Sequence, residues 1–367
     1  MIRWRTGVVA SRSRAWSGAV EVAVTLEDGA EARALAYPAL VGDPQPGDRV
    51  LLNVTTLELG LGTGGYAMVV ALPDRLPPDP ATGSGHMVKA RYTPLQTVVL
   101  GVDEQESEHH AALRDADDLA GMPIVVADLH SALPAVLAGL RADAPEARVA
   151  YVATDGGALP LWFSRTVDGL REAGWLVGTV TAGQAYGGDL EAVTLHTGLL
   201  AARLVLRADV TVVAQGPGNL GTGTRWGFSG VACGEAVNAA AVLGGRPVAA
   251  LRVSGADARE RHRGVSHHSL TAYGRVALAP ADVAVPALDG PLAELGALVR
   301  AQSAPLTPPH RLVEVGLAGL REALTQSPVG LSTMGRGLAD DPAAFLASAA
   351  AGRLAAALLP PPSGLRW

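Results

Sequence analysis

The chain is poor in cysteine, aromatics and charge of either sign. One cysteine, Cys233, among 367 residues cannot close an internal disulfide, so nothing indicates an oxidising compartment. Its surroundings, GFSGVACGEAVNAAAVLGG, have an apolar helical pattern, which leaves a buried small hydrophobe or a catalytic thiol as the alternatives. Aromatic residues make up only 4% of the chain, so a core must be built from Ala, Val and Leu, a choice that suits helices packed closely on a sheet. No apolar run reaches the roughly 18 residues of a membrane span without interruption. The best, AVNAAAVLGGRPVAALRV, is broken by Arg246 and Pro247. The start, MIRWRTGVV, has no apolar segment of the kind a secretory signal carries. With 29 Lys and Arg against 35 Asp and Glu, the net charge is −6, without the basic footprint of a general nucleic-acid binder. These absences predict a soluble, cytoplasmic protein whose partner is a small molecule, not nucleic acid or membrane. The Ala-rich helices would offer surfaces for a homodimer.

What is present is 49% hydrophobic, ample for a packed core. Residues 1–72 contain short, partly alternating, β-branched runs (TGVVASRS, AVEVAVTLEDG, ARALAY, DRVLLNVT) separated by DG, GDPQPGD and GLGTGG turns. That pattern predicts a small all-β, barrel-like domain. PDRLPPDPATGSG, residues 73–85, reads as a Pro/Gly linker. From residue 86 the rhythm changes. The continuous apolar runs QTVVLGV, PIVVAD, ARVAYVA, LVGTVTAG, VTVVAQG and PVAALRV alternate with helical patterns. Strands buried on both faces have this character, so residues 86–340 are expected to form a Rossmann-like α/β domain: a doubly wound, mostly parallel sheet with helices on both faces. In residues 341–367, DDPAAFLASAAAGRLAAALL predicts a final helix lying outside the sheet, followed by a mobile PPPSG tail.

In a doubly wound sheet, ligands bind beyond the carboxyl ends of the strands, so residues following each run are the candidates. GPGNLGTGTRWGFSG (216–230) lies between a strand and a helix. Its glycines let backbone amides approach an anion or polar ligand, with Gly216, Gly218, Thr222, Thr224 and Arg225 as contacts. Gly216, Gly218 and Gly221 also fit G-x-G-x-x-G, but the helix starts too late, near Ser229, for a dinucleotide fingerprint. A long turn without a ligand is the plainer alternative. Asp155-Gly156-Gly157 ends another run. There Asp155 could be a base or ligand, or could merely cap the next turn. Gln184 follows a third.

HRGVSHHSLTAYGR (262–275) sets Ser266, His267 and His268 just after Arg259, Arg261, His262 and Arg263. Adjacent histidines splay by about 100° on a helix, so His267 and His268 are not an i, i+4 chelating pair. Ser266 could cap a short helix through SLTAYG, and Arg259, Arg261, His262 and Arg263 could bracket a phosphate or carboxylate or equally form a solvated loop. A second doublet, His109 and His110, follows Asp103. Imidazole with carboxylate suits a divalent transition metal, with Asp103, His109 and His267 as its candidate ligands. In GLSTMGRGLADD, Ser332, Thr333 and Arg336 could close over the same crevice or simply lead into the last helix.

TDGGALPLWFSRTVDGL, GPGNLGTGTRWGFSG, RHRGVSHHSLTAYGR and STMGRGLADDPAAF together resemble a bacterial family catalogued only as a domain of unknown function. The resemblance implies a shared architecture over nearly the whole chain and carries no activity or cofactor. From the residues, the expected function is a hydrolase or transferase acting on a small anionic or phosphorylated substrate, with or without a metal. Asp155 and His267 or His268 would then act as base, acid or ligand. A metabolite-binding sensor without chemistry, and a nucleotide enzyme using the glycine loop, are the alternatives.

Overall fold

The computed structural model describes residues 1–62, 64–79, 83 and 85–360. Five strands form the amino-terminal unit: β1 (Trp4–Trp16), β2 (Ala19–Leu26), β3 (Glu31–Ala36), β4 (Arg49–Asn53) and β5 (Ala67–Ala71). They close into a barrel in the order β1-β2-β3-β5-β4, with β3 and β5 parallel and the other pairs antiparallel. Alternation decides what points inward: Val20, Val22 and Val24 of β2 and Val50 and Leu52 of β4 meet in the barrel core. Closure leaves no free sheet edge.

The barrel docks through aromatics on the short turn Leu161–Phe163. The Trp16 indole N–H donates to the Trp162 carbonyl at 2.6 Å. The Trp162 ring packs against Tyr37 and Tyr186, and Tyr66 meets Phe163 edge-on. Gly18 is required here, because a β-carbon would sit 2.2 Å from the Trp162 ring.

Part of the expected 73–85 linker, residues 80–82 and 84, lies outside the described residues. So do residues 361–367, which include most of the expected tail. A small antiparallel hairpin follows, β6 (Met87–Lys89) with β7 (Thr97–Val99). This corrects one expectation. QTVVLGV is not a strand of the main sheet: Thr97–Val99 pairs in the hairpin and is only partly covered, and the buried end of the run makes a single bridge, Gly101 to Glu191, at the sheet's edge.

The main sheet is built from β8 (Pro123–Val126), β9 (Val149–Thr154), β10 (Gly178–Ala182), β11 (Leu190–Ala192), β12 (Val210–Gln215) and β13 (Arg246–Ala250). After a short hairpin of β14 (Val253–Ser254) and β15 (Gly264–Val265), β16 (Asp282–Pro286) and β17 (Arg311–Val315) complete it. The order is β11-β10-β9-β12-β8-β13-β16-β17, and every pairing is parallel. The three strands that sequence patterning missed, β11, β16 and β17, lie at or next to the two edges, where apolar runs are shorter and more mixed.

Neighbouring residues of β8 face opposite ways, as a pleat requires. Ile124 and Val126 pack with helices Leu195–Leu204 and Ala232–Val242. Val125 packs with helices Leu133–Asp143, Arg165–Glu172 and Pro342–Ala357. Helices therefore cover both faces.

The last helix, Pro342–Ala357, corrects a second expectation. It is buried along most of its length and crosses Leu133–Asp143 at backbone contact. A β-carbon on Gly139 would lie 1.9 Å from the Ala349 carbonyl oxygen, and one on Gly352 would lie 1.9 Å from that of Val136. Alanine and glycine make this close crossing possible, so the helix is an integral layer of the core.

Candidate functional site

The carboxyl edge of the sheet carries most of the buried polar chemistry. Asp128 follows β8, Asp155 follows β9, Gln215 ends β12 and Arg252 follows β13. A row of cavities runs along this edge. One of about 30 Å³ lies between β8 and β13 and is walled by Asp128, Ser131, Arg252, Ser254, Thr333 and Arg336. A narrow void beside Asp128, Gln215 and Cys233 shares Thr154 and Ala232 with a larger cleft of about 350 Å³. That cleft is lined by Asp155, Thr194, His196 and Glu235.

The densest cluster surrounds Asp128. Its carboxylate is buried; Oδ2 lies 3.5 Å from Arg252 Nη1 and 3.6 Å from His268 Nδ1 and makes no hydrogen bond. Burial opposes the charge, but the facing His268 and Arg252 hold the carboxyl below its usual range. Arg252 Nη1 donates to His268 Nδ1 at 3.0 Å. The Phe228 ring lies flat on the His268 imidazole, with centroids 3.8 Å apart and planes 2° apart.

His268 belongs to a trio with His262 and His267, whose centroids lie 4.4 to 5.0 Å apart. One ring nitrogen from each lies within 4.8 Å of the others. His262 Nδ1 is 2.8 Å from Ser266 Oγ, and His267 Nε2 is buried without a partner. Burial, reinforced by surrounding cations, pulls His262 to about 3 and His267 to about 4, so both rings are neutral at physiological pH.

The sequence candidates divide between these places. Ser266 caps the short helix His267–Thr271 as expected, accepting the His268 backbone N–H at 3.2 Å. His267 and His268 lie in the trio. Asp155 and Gln184 lie on the other side of the edge, where Asp155 Oδ2 accepts the Gln184 N–H at 2.8 Å. Gly156, Gly157 and Gly216 let two loops meet, since a β-carbon on Gly157 would be 2.1 Å from the Gly216 carbonyl oxygen.

The glycine loop is largely closed on itself. Thr222 N–H donates to Gly227 O, Gly227 N–H to Thr224 Oγ1, and the Thr222 and Thr224 hydroxyls are 3.1 Å apart. Gly218 and Arg225 are exposed on its outer part. Its tip approaches Arg261, whose guanidinium would be 3.6 Å from a β-carbon on Gly223. The helix after the loop runs Ala232–Val242, too far from Gly221 for a dinucleotide arrangement.

Asp103 and His109 lie on the turn segment after the β6–β7 hairpin, where Asp103 Oδ2 is 3.4 Å from the Thr197 hydroxyl. Among the described residues, the clusters of three potential metal ligands are His262–His267–His268 and the more exposed His86–Glu104–Glu106; neither includes Asp103 or His109. Thr333 and Arg336 do face the small cavity: Ser131 donates to Thr333 Oγ1 at 3.0 Å, and Arg336 pairs with Asp257 and Asp341. The exposed Ser332 precedes them on the two-residue strand β18 (Ser332–Thr333), paired with β19 (Arg336–Gly337). Cys233 is buried, which pushes its thiol up and away from the thiolate a nucleophile needs.

Sequence inspection missed Asp128, Arg252 and Phe228, and it grouped His262 with the arginines, whereas the structure sets it against His267 and His268. Asp128 was legible: it closes PIVVAD at the carboxyl end of a strand, the same signal that singled out Asp155. Phe228 carried no such signal, because only the loop's return places it on His268.

No curated protein and no solved structure matches the chain. A family model described as "Protein of unknown function (DUF3866)" matches residues 33–352, from within the barrel to within the last helix. With that match over most of its length, the chain belongs to the DUF3866 family.

Proposed function

We propose that this protein is an enzyme, a hydrolase or transferase, acting on a small anionic or phosphorylated substrate at the carboxyl edge of its Rossmann-like sheet. One observation carries the proposal: three buried or half-buried histidines meet beside the Asp128–Arg252 pair, with Arg261 acting electrostatically on His267. Arg261 is exposed, has no acidic partner among the described residues, and is close enough to His267 to depress its basicity. A guanidinium with no acidic partner among the described residues, near the neutral His267 ring, suits an anion whose reacting atom lies at the histidines. A bacterial, cytoplasmic setting belongs to the same proposal and agrees with a lone buried thiol.

The test is a panel of phosphate monoesters, phosphodiesters and carboxylate esters. The expected result is turnover of one class that falls at least about 100-fold in His267→Ala, with KM raised in Arg261→Ala. Turnover of no class, or turnover indifferent to both changes, refutes the proposal. A second reading, binding without chemistry, draws on the cleft at Asp155 and His196, which is open and far larger than the cavity at Asp128. A ligand whose affinity falls in Asp155→Asn but not in His267→Ala would favour it.

A further inference from the structure

We infer that His262, His267 and His268 form a binding site for a divalent transition metal of the zinc class. Three imidazoles, with one ring nitrogen from each within 4.8 Å of the others, offer the nitrogen ligands that zinc, cobalt and nickel prefer, and three protein ligands leave a fourth position open. Tetrahedral coordination at about 2.0–2.1 Å sets ligand nitrogens roughly 3.3 Å apart. The trio, with donors inside 4.8 Å, reaches that by small ring rotations.

Two orphaned atoms point the same way. His267 Nε2 and Asp128 Oδ2 are buried with no hydrogen-bond partner among the described residues. Buried polar atoms without partners are uncommon and costly. A metal at the trio satisfies both. His267 Nε2 becomes a ligand directly. His262 engages Ser266 through Nδ1, which leaves Nε2 for the metal. Ligation through His268 Nε2 moves that ring's proton to Nδ1, so Arg252 Nη1, which donates to Nδ1 at 3.0 Å, must turn to Asp128 Oδ2 at 3.5 Å, the same oxygen that the Nδ1–H faces at 3.6 Å. Carboxylate, imidazole and metal then stand in line, an arrangement that fixes the ring and strengthens the ligand. Phe228, stacked on the same ring, holds its plane.

The local charge tells which form of the metal fits. Arg252, Arg259 and Arg261 all act on the trio, and the first two are paired with Asp128 and Asp257. A bare dication is disfavoured beside Arg261, which has no acidic partner among the described residues, whereas a metal carrying an anionic fourth ligand is not. Binding is therefore expected to tighten in the presence of inorganic phosphate.

The site stands whether or not the protein is an enzyme, because metal content is read without a substrate. The full chain would be stripped with a chelator, reloaded with zinc, desalted and measured by elemental mass spectrometry. Cobalt would be loaded in parallel to read coordination from its visible spectrum. The expected result is about one zinc per chain, a tetrahedral cobalt spectrum, and loss of both in His262→Ala and in His267→Gln. His86→Ala, in the other cluster, keeps them.

Wild-type protein that retains no zinc overturns the inference. So does zinc that persists in folded His267→Gln, or that follows His86→Ala. If the variants fail to fold, as circular dichroism would show, the wild-type cobalt spectrum decides: tetrahedral nitrogen ligation upholds the site, and an octahedral, water-like spectrum removes it. Stoichiometric zinc with no turnover of any ester would refute the enzyme proposal and leave the metal site intact.

Discussion

Lys89 is the most exacting place to perturb this fold. Its side chain is fully buried, and its ammonium donates to the carbonyls of Gly183 and Ala185 at 2.8 Å each and of Ala192 at 3.0 Å. Glu191 Oε2 lies 3.4 Å away. In Lys89→Met the stem still fills space, but three carbonyls lose their donor and Glu191 loses its counter-ion. An unpaired buried group costs about 1–3 kcal/mol, and breaking a buried ion pair from one side costs about 3–5 kcal/mol. Glu191 keeps the Thr181 hydroxyl at 2.7 Å and the Gly187 N–H at 2.6 Å, which limits its part of the loss. We therefore expect at least about 3–5 kcal/mol, a large share of the roughly 5–15 kcal/mol that holds a typical domain together.

Urea unfolding followed by tryptophan fluorescence would read it as a lower midpoint. Lys89→Met with Glu191→Gln should recover a substantial part, since the stranded charge is then gone. The effect reaches the large cleft as well. Gly183 and Ala185 flank Gln184, whose N–H binds Asp155, so freeing the loop should loosen that wall. A Lys89→Met variant within about 0.5 kcal/mol of wild type would refute this reasoning, because no fully buried, three-donor ammonium is that dispensable.

Other expectations follow from the same kind of argument. Gly352→Ala gains about 1 kcal/mol of helix propensity, but its new β-carbon would sit 1.9 Å from the Val136 carbonyl oxygen, so a net loss of at least about 1–2 kcal/mol is expected. Gly316→Ala, with nothing within 4 Å, is the near-neutral control, and equal melting temperatures for the two would refute the crossing geometry. His130, bonded to Ser164 Oγ at 2.8 Å, is pulled by burial to about 4. The unfolded chain takes up that proton near pH 6.5 and the folded chain only near 4, so its contribution is complete above about 6.5 and lost as pH falls. At about 1.4 kcal/mol per unit, the loss from pH 7 to pH 5 is about 2 kcal/mol, and His130→Gln should flatten stability against pH by that amount. Trp162→Ala removes the ring seated on Gly18, Tyr37 and Tyr186, so calorimetry should resolve separate barrel and sheet transitions in place of one coupled transition.

Local pattern was enough to establish the architecture. Alternation over AVEVAVTL can be satisfied only by a strand with one face in a core, and runs such as PIVVAD and VTVVAQ only by strands covered on both sides. Those signals reside in consecutive residues, so the barrel, the parallel sheet and its central strands were all legible. The cap at Ser266 was legible for the same reason: a serine before two histidines acts within one turn.

Pairings across long sequence separations were decided by tertiary structure. Lys89 with Glu191, Asp128 with Arg252 and His268, and Phe228 with His268 join segments about 40 to 140 residues apart. Nothing in either segment names its partner. The final helix shows the same limit. An alanine- and glycine-rich stretch fits a peripheral helix as well as a buried one, and only the reciprocal approach of Gly139 and Gly352 placed it inside. Composition and period select the elements; which side chains meet at the carboxyl edge depends on strand order, which no single strand encodes.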